Sequence, residues 1–544
     1  MKKIISIFIF CFCALGLFAQ TPSRVNIIPL PVSVKELPGE FTITPSTRIM
    51  LAQDNPDMRR AVAIFNERLT AAAGFTLPVA RGRAGANIIH VALNPRIENA
   101  EGYTLSVGRN GVRIEAKTAQ GAFYAMQTLR QLLPPEIESR ERVANVRWVI
   151  PNVEIVDYPA FGYRGLHLDV CRHFMTKEEV MQYIELLAFH KKNTFHWHLT
   201  EDQGWRIEIK KWPRLTSHGS RRDREIIGRK DEGNTNRRWE WVLKDHSGYY
   251  TQDDVREVVA FAERHFVTII PEIEMPGHAV AALSAYPEFS CTGGPFRVEG
   301  LWGVLFDIFC TRDTVFYFLE SILEEVIALF PSELIHIGGD EAPKRRWERC
   351  HACQMKIQQE GLANEYELQS YFIKRIERFV NSKGRRIIGW DEIHEGGLAP
   401  NATVMAWRHE RYAIAAAQAG HDVIMSPASH FYLDHYQADP AFEPYAICCF
   451  SPIEKVYNYH PIPDTLTAAQ AKHILGVQGN VWTEYMHTFD HVLYMAYPRA
   501  AAIAEIGWTP VEKKNYENFL QRLRQMALRY DVKGINYHRG FLNK

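Results

Sequence analysis

From residue 158 onward, short apolar runs recur at 161–168, 194–199, 267–272, 334–337, 386–390, 403–407, 422–425 and 474–481, with helical stretches between most of them. Strands alternating with helices imply parallel strands joined by crossovers. Eight such units over about 350 residues predict a (β/α)8 TIM barrel with long loops, whose chemistry gathers at the carboxyl ends of the strands. Thr176 with Glu179, and Thr251 followed by Asp254, read as capping boxes that open two of the helices, and 365–380 reads as a third helix. No internal repeat of fixed period accompanies the pattern.

Residues 20–157 have a different texture. The runs 103–107 and 112–116 alternate around Asn110-Gly111, a hairpin signal. A helix over 121–133 carries Phe123, Met126, Leu129 and Leu133 on one stripe and stops at Pro134-Pro135. This predicts a small α/β domain before the barrel, with 151–159 as the boundary and 158–544 as the barrel with a helical end. Residues 1–19, with Lys2-Lys3, an apolar run over 4–18 and Ala19, have the layout of a secretory signal peptide, so cleavage near Ala19 and export to the periplasm, cell surface or medium are expected. That run is too short for a convincing membrane span, and nothing downstream offers eighteen uninterrupted apolar residues. Lys plus Arg and Asp plus Glu balance at 63 each, so no global field draws the chain to nucleic acid or an anionic membrane, and a small neutral substrate fits better.

Beyond Cys11 and Cys13 in the leader, the cysteines are Cys171, Cys291, Cys310, Cys350, Cys353, Cys448 and Cys449. An odd count leaves at least one free thiol. Cys350-x-x-Cys353 lacks a second pair or histidines at zinc spacing, so a loop disulfide is expected there, with Cys291–Cys310 as another candidate and no metal.

The strand ends collect polar and aromatic residues: Arg172, Glu201-Asp202, Glu274 with His278, Asp340-Glu341, Trp390-Asp391, Trp407, Tyr432 with Asp434, and Trp482 with Glu484. The stretch Leu334-Ile335-His336-Ile337-Gly338-Gly339-Asp340-Glu341 is the sharpest of them. Neighbouring side chains in a strand face opposite ways, so Asp340 and Glu341 can share a cavity only once extension has ended, and two glycines permit that break. Two close, desolvated carboxyls raise the proton affinity of at least one, as general acid catalysis near neutral pH requires. Alone the pair is weak, because 63 acidic residues in 544 give roughly seven adjacent pairs by chance. Residues 220–248, rich in Arg with Trp239 and Trp241, read as a solvated loop, with an arm over the cleft as the functional alternative.

These residues carry a resemblance. Asp169-Val170-Cys171-Arg172-His173-Phe174, His198-Leu199-Thr200-Glu201-Asp202-Gln203-Gly204-Trp205, Pro271-Glu272-Ile273-Glu274-Met275-Pro276-Gly277-His278, residues 336–341, Tyr432-Leu433-Asp434 and Trp482-Thr483-Glu484 together resemble the β-N-acetylhexosaminidases of glycoside hydrolase family 20. The small domain before the barrel resembles that family's as well. The resemblance implies an exo-acting, retaining hydrolase of terminal β-linked N-acetylglucosamine, and of N-acetylgalactosamine as a second substrate, in which the 2-acetamido oxygen attacks the anomeric carbon to give an oxazolinium intermediate. Glu341 is then the acid and base, and Asp340 holds the acetamido N–H. Trp390, Trp407 and Trp482 wall the acetamido pocket, and Tyr432 bonds its oxygen. Arg172, Asp434 and Glu484 hold sugar hydroxyls, and His278, with Glu201, Asp202 and Glu274 as candidate partners, tunes Glu341. No cofactor or metal is implied. Glu201 and Glu274 stand where many members have aspartate. Release of a disaccharide such as lacto-N-biose in the same fold, and sugar binding without catalysis, are the rival readings.

Overall fold

The computed structural model describes residues 23–228 and 240–543, so the leader read over 1–19, and Arg229, Lys230, Arg237, Arg238 and Trp239 of the polar run, lie outside the described residues. The Asn110-Gly111 hairpin pairs strand Tyr103–Gly108 antiparallel with Gly111–Ala116. It sits inside a seven-stranded sheet whose order is Ser33–Thr42, Val149–Asp157, Tyr103–Gly108, Gly111–Ala116, Ile88–Leu93, Arg48–Leu51, Val79–Arg81. Helix Ala119–Leu132 packs on this sheet and beside helix Pro56–Ala73. It starts two residues before the expected 121 because the Thr118 hydroxyl accepts the Gly121 amide and caps it. The stretch 151–159, read as a boundary, carries most of strand Val149–Asp157, and the chain leaves the sheet at Tyr158.

All eight apolar runs form strands. In chain order Tyr163–Asp169, Thr194–His198, Thr268–Met275, Leu334–Gly338, Arg386–Trp390, Thr403–Ala406, Val423–Met425 and Ile474–Gly479 close a parallel barrel, the eighth pairing with the first from Gly476↔Tyr163 to Gly479↔Leu166. The third strand runs three residues past the expected end at Glu272. A charged residue ordinarily ends an apolar run, but this one points into the barrel, where partners neutralise it. Both capping boxes form, at Thr176 with Glu179 and at Thr251 with Asp254, and the third helix spans Glu365–Ser382. Among the described residues no helix is long and apolar enough to cross a membrane.

The sheet domain is locked to the barrel through Asp157, at the end of its last sheet strand. Its Oδ2 lies 2.8 Å from the Lys191 ammonium, and its Oδ1 accepts from Trp508 Nε1 at 2.8 Å and from the Val32 amide at 3.2 Å. Lys191 precedes the second barrel strand, so this lock grips the amino-terminal side and leaves the opposite mouth clear.

The expected disulfides are not formed. Cys291, Cys310, Cys350 and Cys353 are free thiols, and the disulfide among the described residues joins the neighbours Cys448 and Cys449. Cys350 sits at the junction of helices Arg345–Arg349 and His351–Glu360, and Cys353 lies in the first turn of the second. Both thiols therefore turn into a pocket shared with Cys291 and Cys310 instead of toward each other. Cys171 is a further free thiol, buried.

Asp157→Ala leaves the buried Lys191 cation without its carboxylate, and removing one partner of a buried pair costs about 3–5 kcal/mol. The expected result is a clear fall in the midpoint of thermal or urea unfolding. An unchanged midpoint would show that the pair does not hold the two domains together.

Candidate active site

The barrel interior is polar where most cores are apolar, and Glu272 is its centre. Its carboxylate accepts from Trp390 Nε1 at 2.8 Å, lies 3.0 Å from His196 Nε2 and 2.8 Å from His336 Nδ1, and is hydrogen-bonded to His198. Burial opposes charge on His198, but Glu272 and then Glu201 outweigh it and lift its pKa to about 10. At His196 burial, with His336 beside it, outweighs the pull of Glu272 and takes the pKa down to about 4.

His198 passes the pattern outward, since its Nε2 lies 3.2 Å from Glu201. Glu201 also pairs with Arg172 at 3.1 Å and with His278 Nδ1 at 2.7 Å. Burial would raise this carboxyl, yet Arg172 and His278 hold it well below the usual carboxylate range. His278 is likewise buried and likewise held charged, by Glu201 first and then Asp202 and Glu341. Its Nε2 faces both acids of the 340–341 pair, at 3.6 Å from Asp340 and 3.4 Å from Glu341. Asp202, 3.4 Å from His278 Nδ1, also accepts the Val280 amide. Glu274, the third candidate partner of His278, lies instead against the turn below Asp340. Neither of its oxygens has a hydrogen-bond partner, and burial, with Asp340 and Glu272 nearby, pushes its pKa well up.

The fourth strand ends as its glycines require. Gly338 and Gly339 have φ +67° and +94°, and a Cβ at Gly338 would stand 1.7 Å from a Glu274 carboxylate oxygen. Glu341 itself has φ +44° and His278 φ +49°, conformations rare for residues with side chains and concentrated at functional sites. The turn puts Asp340 and Glu341 on one rim, with Asp340 buried and the Glu341 side chain 35% exposed. Burial pushes Asp340 up to about 7, the neighbouring Glu341 adding to the rise and His278 opposing it.

Beyond Asp340 stands an aromatic wall. Trp407 and Tyr432 stack with centroids 5.9 Å apart, Tyr432 and Trp482 lie 6.1 Å apart, and Trp390 and Trp482 5.7 Å apart. On the other side Arg172 lies 4.0 Å from Glu484 and its guanidinium covers Trp482 at 5.1 Å. Asp434 Oδ1, Glu484 Oε2, Asp340 Oδ1 and Trp482 Nε1 are buried with no hydrogen-bond partner. Burial and Glu484 push Asp434 well above its ordinary range, and burial raises Glu484 against the pull of Arg172. Buried polar atoms are nearly always satisfied, so unpartnered ones gathered about one aromatic wall are suited to a ligand rich in hydroxyl and amide groups.

The residues given roles at the site gather at this mouth, except Glu274, which lies against the turn below Asp340. Glu201 is enclosed by Arg172, His198, His278 and the Asp202 amide, so it holds other side chains in place. Sequence reasoning missed Glu272 and His198, because a strand interior gives no signal that its polar residues meet across a barrel. It also missed Glu392, two residues after Trp390, which accepts from Trp407 Nε1 at 2.9 Å and which burial, with Asp340 and Asp391, lifts to about 9. A cavity of about 420 Å3 opens beside Glu341, lined by Lys344, Glu392, Glu395, Trp407 and Arg408 among others. The polar run after Ser220 is a hairpin where described, Arg221–Ile227 with Glu240–Ser247. It folds against the loops that carry the pocket: Arg222 reaches toward His173, and Lys244 toward His487.

The family profile described as glycosyl hydrolase family 20, catalytic domain, matches residues 161–511, and the profile described as domain 2 of that family matches 24–158. The chain is 47% identical to a beta-hexosaminidase of Porphyromonas gingivalis over 518 residues, covering 94% of this chain and 64% of that protein, so it spans less than two thirds of that relative. It is 34% identical to a beta-hexosaminidase of Vibrio furnissii, covering 90% and 77%. Among solved structures, a β-N-acetylhexosaminidase from Streptomyces coelicolor superposes with a TM-score of 0.82 at 30% identity over 95% of this chain and 98% of that one. An exo β-N-acetylglucosaminidase from Vibrio harveyi in complex with N-acetylglucosamine gives 0.82 at 30% identity over 95% and 79%.

Asp340 binds its proton more tightly in the folded chain, near 7, than at the ordinary 3.8, so stability falls as pH rises between those values and is flat above. Asp340→Asn removes that cost: its unfolding midpoint should exceed wild type at pH 8, and the gap should close toward pH 4. A gap independent of pH would mean that Asp340 is not the titrating group.

Proposed function

The chain belongs to glycosyl hydrolase family 20, and on that premise we propose that it is an exo-acting, retaining β-N-acetylhexosaminidase working by substrate assistance. The observation that carries the reading is the division of labour between the adjacent acids. Asp340 is buried toward the aromatic wall, while Glu341 is half open to the cavity where a departing sugar would lie. One acid acting on an internal nucleophile and the next on the leaving group need this arrangement.

In this mechanism the terminal N-acetylglucosamine enters acetamido first. Trp390, Trp407 and Trp482 confine the acetamido methyl, Tyr432 donates to its oxygen, and Asp340 accepts its N–H, which aims the oxygen at the anomeric carbon. Glu341 gives its proton to the glycosidic oxygen as the C–O bond breaks and the acetamido oxygen bonds to the same carbon. The positive charge of the oxazolinium ring forms beside Asp340. Water, deprotonated by Glu341, then opens the ring and restores the original anomeric configuration. Positively charged His278 keeps Glu341 in position.

Arg172, Asp434 and Glu484 supply a cation and two carboxyls at the closed end, where the O3, O4 and O6 hydroxyls would satisfy the unpartnered oxygens. Both carboxyls are buried, which supports a pocket ending after one sugar and disfavours disaccharide release. Asp434 and Glu484 can each accept from either epimer at O4, so N-acetylgalactosamine is included as a second substrate.

Release of nitrophenol should occur from the β-N-acetylglucosaminide, and more slowly or equally from the β-N-acetylgalactosaminide, but not from the β-glucoside. Glu341→Gln should lose about a hundredfold or more on substrates with poor leaving groups while still binding N-acetylglucosamine. A thiazoline mimic of the cyclic intermediate should inhibit strongly. Equal turnover of the glucoside, or indifference to the thiazoline, would remove the acetamido group from the mechanism.

A further inference from the structure

The four free cysteines form one cluster. Cys291 Sγ lies 3.7 Å from Cys353 Sγ, and Cys310 Sγ lies 3.7 Å from Cys350 Sγ and 3.6 Å from Cys353 Sγ. All four sulfurs fall within 4.8 Å of one another. A disulfide needs about 2.05 Å between sulfurs. Four thiolates around a tetrahedral zinc ion, at about 2.3 Å from the metal, stand about 3.8 Å apart along each edge. The three contacts at 3.6–3.7 Å match edges of the second geometry, and the convergence of four thiols within 4.8 Å, instead of two separate pairs, is what a tetrahedral ion requires.

We propose that Cys291, Cys310, Cys350 and Cys353 bind one structural zinc ion as four thiolates.

The local backbone is built for it. Cys350-x-x-Cys353 bridges a helix junction, which turns two thiols to one side, as in structural zinc sites. The other two come from a short bridge in which Ser290 pairs with Phe309 and the Cys310 amide donates to Phe289 at 3.0 Å. Cys310 and Cys353 are fully buried, and Thr311 beside them has a buried hydroxyl with no hydrogen-bond partner, free to donate to a thiolate. All four protein positions are filled, so no site is left for water or substrate, and the role is structural. Binding releases the thiol protons to solvent and changes no oxidation state. A four-sulfur tetrahedral set favours zinc or an iron centre over hard cations such as calcium or magnesium.

The site links two active-site loops. Cys291 and Cys310 lie after the third barrel strand, on the segment that follows His278 and precedes helix Asp313–Leu329. Cys350 and Cys353 lie after the fourth strand, between Glu341 and helix Glu365–Ser382. The same two loops touch elsewhere, where Trp347 Nε1 donates to Phe309 O at 2.9 Å and Arg346 pairs with Asp307 at 2.8 Å. A zinc ion here would staple the loop bearing His278 to the loop bearing Glu341.

The test is the metal content of the full chain, expressed with zinc and purified without chelator. One zinc per chain by plasma emission, released by a mercurial that blocks thiols, is expected. Cobalt exchanged into the purified protein should give thiolate-to-metal charge-transfer bands, a readout independent of activity and of any variant. Cys350→Ser with Cys353→Ser should abolish both signals and lower the unfolding midpoint. Zinc-free protein whose reduced thiols take up neither zinc nor cobalt would overturn the proposal. So would iron in place of zinc, or peptide mapping that finds these four cysteines joined as two disulfides.

Discussion

The carboxylate of Glu201 is the contact on which the site depends. It lies beneath the pocket floor and joins three cations, Arg172, His198 and His278, each of which serves a different neighbour. His198 continues inward to Glu272, and Arg172 outward to Asp169 and Glu484. The result is an alternating chain of buried charge running from the barrel axis to the catalytic rim. Each member would be costly alone, because an unpaired buried ion loses several kcal/mol of hydration. With alternating sign, Glu272 and Glu201 are held well below the usual carboxylate range, and His198 and His278 above the usual imidazole range. His198 and His278 each face Glu201 and a second carboxylate and carry charge, whereas His196 meets Glu272 alone and burial takes it down. His278, charged in this way, faces both acids of the rim and opposes the rise that burial causes at Asp340.

Backbone geometry makes the second contribution. Adjacent side chains on a regular strand diverge, yet here Asp340 and Glu341 share one rim within reach of one imidazole. Three departures into left-handed or glycine-only conformations within four residues, at Gly338, Gly339 and Glu341, achieve this, and His278 on the adjacent loop has a similar φ. Such conformations cost of order 1–3 kcal/mol each in residues with side chains and persist only where surroundings over-determine them. The constraint is visible in the contacts: an alanine at Gly338 would drive its Cβ into Glu274, and one at Gly339 would strike Ile393. The two glycines are required by space as well as by torsion, and the chemistry of the acid pair rests on that clearance.

The sequence made the barrel legible because its strands are short apolar runs with helices between them, and the eight runs closed in chain order. The rim residues were legible for the same reason, since each followed a run where a parallel barrel places its chemistry. What the sequence hid was contact across the barrel. Glu272 looked like the end of a strand, because an acid in an apolar run has no visible partner, and its partners come from the second, fourth and fifth strands. The cysteines were hidden in the same way. Cys350-x-x-Cys353 showed no second pair because Cys310 and Cys291 lie 40 and 62 residues from their sulfur neighbours, on a different loop. Glu392 was masked by its neighbours Trp390 and Asp391, which seemed to account for that strand end.

The two kinds of long-range contact bear on the same atoms. Inside the barrel, the charge chain from Glu272 fixes His278 through Glu201. Outside it, the sulfur cluster and the Trp347 to Phe309 bond join the loop that follows His278 to the loop that follows Glu341. A residue held at a left-handed φ relaxes if either end of its segment is free to rotate. His278 is held on its inner side by paired charge, and the stretches running outward from His278 and Glu341 meet at the cluster. A βα loop long enough to form half of a sugar site would otherwise be the most mobile part of a barrel. Joining two such loops at the cysteine cluster keeps the acid pair within reach of His278.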